Sequence, residues 1–337
     1  MGGEFSLREL REDVLQRSMI FLLALIYSGL ALAQGAPPPP APPQGPGVIG
    51  NPGGSGPSPA VAEVDAGLPG MTLYHPVKET ARKMPIILWG NGACRDNGLG
   101  NARFLREISS HGYFVVAAGH ARQEEPMRPV TAPSVTPVAP VGAPGAPGPG
   151  RGVDETQSAQ LIQGLNWAIA ENARAGSPYY RRLDTAHVAV MGHSCGGLQA
   201  IEVAADPRIT TAIIWNSGVY NRGPATGRSG VAVTKEQLKA IHSPIAYITG
   251  GPSDIAYVNA LDDFERINHV PAFFAWIPVG HGGTFYTAEN GGEYGRVGVQ
   301  WLDWQLKGDR KSGANFRGAK CGLCTNSRWT VRSKGMN

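Results

Sequence analysis

The sequence predicts an α/β protein with a mostly parallel central sheet and helices on both faces. Two observations predict it. Apolar runs rich in Val, Ile and aromatic residues alternate with helical patterns along most of the chain, an order that buries a sheet between helix layers. One junction, Val188 to Gly197, passes from an apolar run through Gly192-His193-Ser194-Cys195-Gly196 straight into the helix-forming stretch Leu198 to Ala205. That is a strand, a tight turn with serine at its tip, and a helix.

In chain order, Arg8, Arg11 and Arg17 precede an apolar stretch from Met19 to Leu32 that closes in Ala31-Leu32-Ala33, so residues 1–33 read as an export signal. The stretch is short for a full span, and no stable membrane insertion is expected after cleavage. Its loss removes three arginines and four acids and takes the formal charge from +4 to +5. No Lys/Arg block or basic-aromatic pattern accompanies that charge, which excludes nucleic acid as an expected partner. Residues 34–60, dominated by Pro, Gly and Ala, read as a disordered leader. Residues 61–311 read as one catalytic domain and 312–337 as a tail.

Within the domain, strands are expected at Met71–Tyr74, Ile86–Trp89, Phe114–Ala118, Val188–Met191, Ala212–Trp215, Ala246–Thr249 and Phe273–Ile277. Helices are expected at Asn101–Ser110, Asp154–Ala173, Cys195–Ala205, Tyr257–Ile267 and Gly295–Leu306. A low-complexity tract at 126–150 falls between a strand and a helix and reads as a mobile insertion loop. In open sheets of this kind ligands bind beyond the carboxyl ends of the strands, so chemistry is sought on the turns that follow strands.

Ser194 is the candidate nucleophile, because the flanking glycines suit a strained turn that exposes the hydroxyl above the sheet. A serine hydroxyl needs an adjacent base, and that base needs a third group to orient it. Asp254 follows the strand at Ala246–Thr249, and His281 follows the strand at Phe273–Ile277, in the order Ser, Asp, His. Asp262 and Asp263 lie inside a helix and are weaker candidates. His120 also ends a strand and stands as a reserve base, whereas His193 is expected to point away from the nucleophile. Two N–H donors for an oxyanion are expected from Cys195 and from the loop Gly90-Asn91-Gly92-Ala93-Cys94, with Gly92 first and Asn91 the alternative.

All four cysteines lie in the exported part, and an even count in an oxidising compartment implies two disulfides. Cys94 and Cys195 follow strands that would be neighbours at the top of the sheet, which predicts the pair Cys94–Cys195 and leaves Cys321–Cys324 as a local bridge. The second cysteine pair and nearby histidines that zinc would need are missing, so neither a metal nor another cofactor is expected.

These residues resemble the α/β-hydrolase superfamily, and within it the secreted dienelactone-hydrolase-like and cutinase-like polyester hydrolases. The resemblance covers roughly Val61 to Arg310. It rests on Gly90-Asn91-Gly92-Ala93-Cys94-Arg95, Gly192 to Gly197, Trp215-Asn216-Ser217, Ser253-Asp254-Ile255-Ala256, Gly280-His281 and the closing helix with Trp301, Trp304 and Leu306. It implies an α/β-hydrolase fold, Ser194 as nucleophile, His281 as base, Asp254 as orienter, and Gly92 with Cys195 as the oxyanion pair. It also implies that Trp215 lines the acyl or aromatic subsite; Asn91, in the loop after the Ile86–Trp89 strand, is the other candidate substrate contact. The chain departs from that group in having Gly92 where an aromatic clamp is usual, and in its insertion before Arg151.

The expectation is a monomeric serine esterase, secreted or periplasmic, acting on a small-molecule or polymeric ester. An acyltransferase would use the same residues, and a silent cell-surface binding protein would keep only the fold.

Overall fold

Successive side chains of a strand leave the sheet on opposite faces, and in the central strands of this protein both faces lead into core. Ile86 and Leu88 enter one apolar cluster while Ile87 and Trp89 enter another. Val188 and Val190 divide from Ala189 and Met191 in the same way. Burial on both faces is why these strands read as unbroken apolar runs.

A computed structural model describes residues 47–78, 80–130, 155–221 and 231–336, which lie in one compact unit spanning Gln44–Asn337. The ten strands among these residues are β1 (Gly47–Gly53), β2 (Ala60–Val64), β3 (Met71–Pro76), β4 (Met84–Gly90), β5 (Phe114–Ala118), β6 (Leu183–His193), β7 (Ile209–Trp215), β8 (Ile245–Thr249), β9 (Ala272–Trp276) and β10 (Thr330–Lys334). They form one sheet in the order β1-β2-β3-β5-β4-β6-β7-β8-β9-β10. Pairings from β5 through β4 and β6 to β9 are parallel, and those at both margins are antiparallel.

Among the described residues six α-helices cover the sheet: α1 (Ala102–Ser110), α2 (Ser158–Ala173), α3 (Cys195–Val203), α4 (Tyr257–Arg266), α5 (Gly292–Lys307) and the single turn α6 (Arg310–Gly313). Leu161 and Leu165 of α2, Leu198 and Ile201 of α3, and Phe264 of α4 belong to the first cluster. Phe104 and Ile108 of α1, with Val297, Trp301 and Leu302 of α5, belong to the second. The helix layers therefore lie on opposite faces.

Both margins correct the sequence-based boundaries. The leader carries β1 rather than staying unstructured through residue 60, because polar contacts to α1 hold it. The Ser55 N–H and Oγ bond Glu107 at 2.6 and 2.7 Å, and Arg106 donates to the Ile49 carbonyl at 3.2 Å. The tail is likewise part of the sheet. Lys334 of β10 donates to the carbonyls of Phe264, Glu265 and Ile267, satisfying the open end of α4. The expected export signal and residues 131–150 of the insertion lie outside the described residues. No helix among the described residues is long and apolar enough to cross a membrane.

Chain order reverses between β4 and β6: the chain leaves β4 for β5 on one side and returns to β6 on the other. The crevice beyond the carboxyl ends of these two strands is where a ligand fits such a sheet.

Candidate active site

The turn after β6 places Ser194 at φ 55° and ψ −119°, a conformation that costs a non-glycine residue free energy and lifts the hydroxyl clear of strand and helix. Glycine on either side makes the turn feasible. A Cβ on Gly192 would lie 2.0 Å from the Gly196 carbonyl oxygen, and one on Gly196 would lie 2.0 Å from the Gly90 carbonyl carbon. The Ser194 N–H bonds the Trp215 carbonyl at 3.0 Å, and the Ser217 hydroxyl donates to the Ser194 carbonyl at 2.6 Å. Backbone on both flanks thus pins the strained residue.

Three strand ends converge on this hydroxyl. Ser194 Oγ lies 2.8 Å from His281 Nε2, and His281 Nδ1 lies 2.6 Å from Asp254 Oδ1. A carboxylate only accepts, so Nδ1 carries the imidazole hydrogen and Nε2 is left to accept from the serine. The Asp254 side chain is fully buried while that of His281 is 29 % exposed. Burial pushes the Asp254 carboxyl up, but the His281 hydrogen bond and charge, with the N–H groups of Ala256 and Gly250, outweigh it and hold the carboxyl below its ordinary value.

Cys195 opens α3, so its backbone N–H has no acceptor within the helix. Gly92 opens the turn after β4, opposite the elbow. A disulfide joins Cys94 of that turn to Cys195, and a second joins Cys321 to Cys324. The first bridge ties together the two segments expected to supply oxyanion donors.

Two sequence-predicted contacts are corrected. Trp215 is fully buried, with its ring among Phe104, Phe285 and Tyr294 at centroid separations of 5.0 to 5.8 Å. It forms the apolar floor under the site and offers a ligand no surface. Asn91 is 2 % exposed and its amide is committed: Oδ1 accepts from Trp89 Nε1, and Nδ2 donates to the carbonyls of Arg95 and Ala118. It braces the turn against β5.

His120 pairs with Asp96 on the surface, and its side chain is 60 % exposed. Asp263 is buried against Lys235 Nζ at 2.6 Å and the Val219 N–H at 2.8 Å, which makes it a structural tie. Two residues that the sequence reading gave no role bear on the site. Asn216, at φ 45°, donates to Asp254 and to the Gly280 carbonyl, and the His193 ring lies against that of His281 with centroids 5.4 Å apart. Their place within the motifs Gly192 to Gly197 and Trp215-Asn216-Ser217 was the only signal.

The arrangement can deprotonate a hydroxyl at a fixed point and hold an anion beside it. Among the described residues no group of three His, Cys, Asp or Glu side chains could hold a metal ion. No family model matches the chain, and no curated protein matches it.

Proposed function

We propose that this chain is a serine hydrolase of the α/β-hydrolase fold that cleaves carboxylic esters through an acyl-enzyme. The observation that carries this reading is the unbroken relay from Ser194 Oγ to His281 Nε2 at 2.8 Å and from His281 Nδ1 to Asp254 at 2.6 Å. Ser194 Oγ attacks the ester carbonyl carbon as its proton passes to His281 Nε2. The resulting oxyanion is met by the N–H groups of Cys195 and Gly92. Collapse breaks the bond to the alkoxy oxygen, which leaves as the alcohol with the proton from His281. Water then attacks the acyl carbon, giving its proton to His281, and the acid departs as Ser194 regains its hydrogen. Asp254 keeps the ring in one tautomer and stabilises the imidazolium.

Glycine at position 92 and burial of Trp215 leave the site without an aromatic clamp from these positions, which supports small carboxylic esters over polymer chains. Two disulfides support function in an oxidising compartment outside the cytoplasm. The test is hydrolysis of p-nitrophenyl esters from acetate to palmitate by the mature chain and by Ser194→Ala. Turnover by the wild type with loss in the alanine variant is expected. Inactivity of the wild type across the series would overturn the reading.

A further inference from the structure

His193 precedes the nucleophile and touches two of the loops that the reaction needs. Its Nε2 lies 2.9 Å from the backbone carbonyl oxygen of His281. A carbonyl only accepts, so Nε2 carries the hydrogen and donates. In the neutral ring Nδ1 is then a bare acceptor; it is buried, has no hydrogen-bond partner and faces Gly92. A Cβ at position 92 would stand 2.6 Å from that nitrogen, so only glycine lets the turn close on the ring. The ring faces are held as well, with centroids 5.4 Å from His281 and 5.2 Å from Phe285.

We propose that His193 is a positioning residue that sets the spacing between the base and the oxyanion turn, holding His281 through its backbone carbonyl and abutting Gly92 with its other edge. This inference rests on the ester-hydrolase reading. The base needs such support because it sits between Gly280 and Gly283, both at positive φ, in a loop with little stiffness of its own. Two successive carbonyls of that loop are captured by side chains, Gly280 by Asn216 and His281 by His193. Burial and the nearby His281 push the His193 pKa down to about 4, so the ring stays neutral at working pH. A charged ring there would oppose the imidazolium that His281 must become.

Two variants separate positioning from packing. His193→Phe keeps an aromatic ring and loses the donor, while His193→Gln places an amide N–H near the position of Nε2. The measurements are kcat and KM on the best p-nitrophenyl ester, the rate of Ser194 labelling by a fluorophosphonate, and the thermal midpoint. His193→Phe is expected to lower kcat about 100-fold, the scale of a misplacement near 1 Å, with KM little changed and labelling slowed in parallel. His193→Gln is expected to recover most of both. Wild-type kcat and labelling in His193→Phe would overturn the proposal. So would equal losses in both variants that track the thermal midpoint, since packing alone would then explain them. A wild-type chain that neither turns over esters nor reacts with fluorophosphonate overturns the hydrolase reading itself, and the proposal with it.

Discussion

Asn216 donates through Nδ2 to Asp254 Oδ2 at 2.8 Å, while the other carboxylate oxygen of Asp254 serves His281. The same amide reaches the Gly280 carbonyl at 3.0 Å, so one buried side chain holds both the Asp254 carboxylate and the residue before His281. Its φ of 45° is a conformation asparagine tolerates better than most residues with a Cβ.

Replacing Asn216 separates these contributions. Asn216→Gly accepts the backbone conformation but takes one donor from the buried Asp254 carboxylate and leaves the Gly280 carbonyl with only the Gly283 N–H, at a cost of about 1–3 kcal/mol. Asn216→Ala adds backbone strain to the same loss and is expected to be the less stable of the two in urea unfolding. Both should lose kcat more than KM, because the acid and base lose orientation. Unchanged kcat in the glycine variant would show that Asp254 is held adequately without the amide.

The Cys94–Cys195 bridge is expected to matter for stability and catalysis together. Its cysteines are 101 residues apart, and closing a loop of that length stabilises a fold by roughly 4–5 kcal/mol. Cys321 and Cys324 are separated by only 3, so removing that bridge with paired alanines should cost much less. Reduction, or Cys94→Ala with Cys195→Ala, should lower both the unfolding midpoint and kcat, since the turn after β4 and the start of α3 are freed together. An unfolding midpoint lowered by reduction with kcat unchanged would leave the bridge a purely structural role.

Acid should weaken the fold through His193. Its pKa is lowered from 6.5 to about 4, so the unfolded chain takes up this proton first as pH falls. The stability contribution is full above pH 6.5, is lost between 6.5 and about 4, and changes no further below that. The expected loss is about 3 kcal/mol over the window, because a tenfold change in proton affinity is worth about 1.4 kcal/mol. Asp263 titrates in the same range with opposite sign, because burial raises its pKa to about 7 against the pull of Lys235. That contribution is common to wild type and His193→Gln and cancels in their difference. Asp254, held below 3.8, stabilises the fold throughout the window and loses that contribution only at more acid pH. Guanidinium unfolding of both proteins at neutral pH and at a pH inside the window measures the difference, and equal pH dependence would contradict it.

The central sheet was legible because its strands are buried on both faces and therefore read as apolar runs. Val188–Met191 and Ala246–Thr249 lie wholly inside β6 and β8. The margins were not legible. β1 is Gly-rich and held by Ser55, Glu107 and Arg106, while the tail is held by Lys334 and by Phe316 stacked against Trp304. Such contacts join residues far apart in the chain and leave no periodic trace. Trp215 was misread for a related reason: its place at a strand end is evident in the sequence, but the strand face it occupies depends on what packs beneath it.

Ser194, Asp254 and His281, which hydrogen bonds join in one line, could be singled out in the sequence because each sits on a turn whose glycines and preceding apolar run are local features, and the pairing of Cys94 with Cys195 follows from the same strand ends. Tertiary structure alone decided how those turns are supported. The His193 ring is placed by Gly92, His281 and Phe285, and the Asn216 amide by Asp254 and Gly280. Local sequence specifies where a strand ends and which side chain stands there. The direction in which a neighbouring side chain finds its hydrogen-bond partner is set by backbone from other strands, which exists only once the sheet has formed.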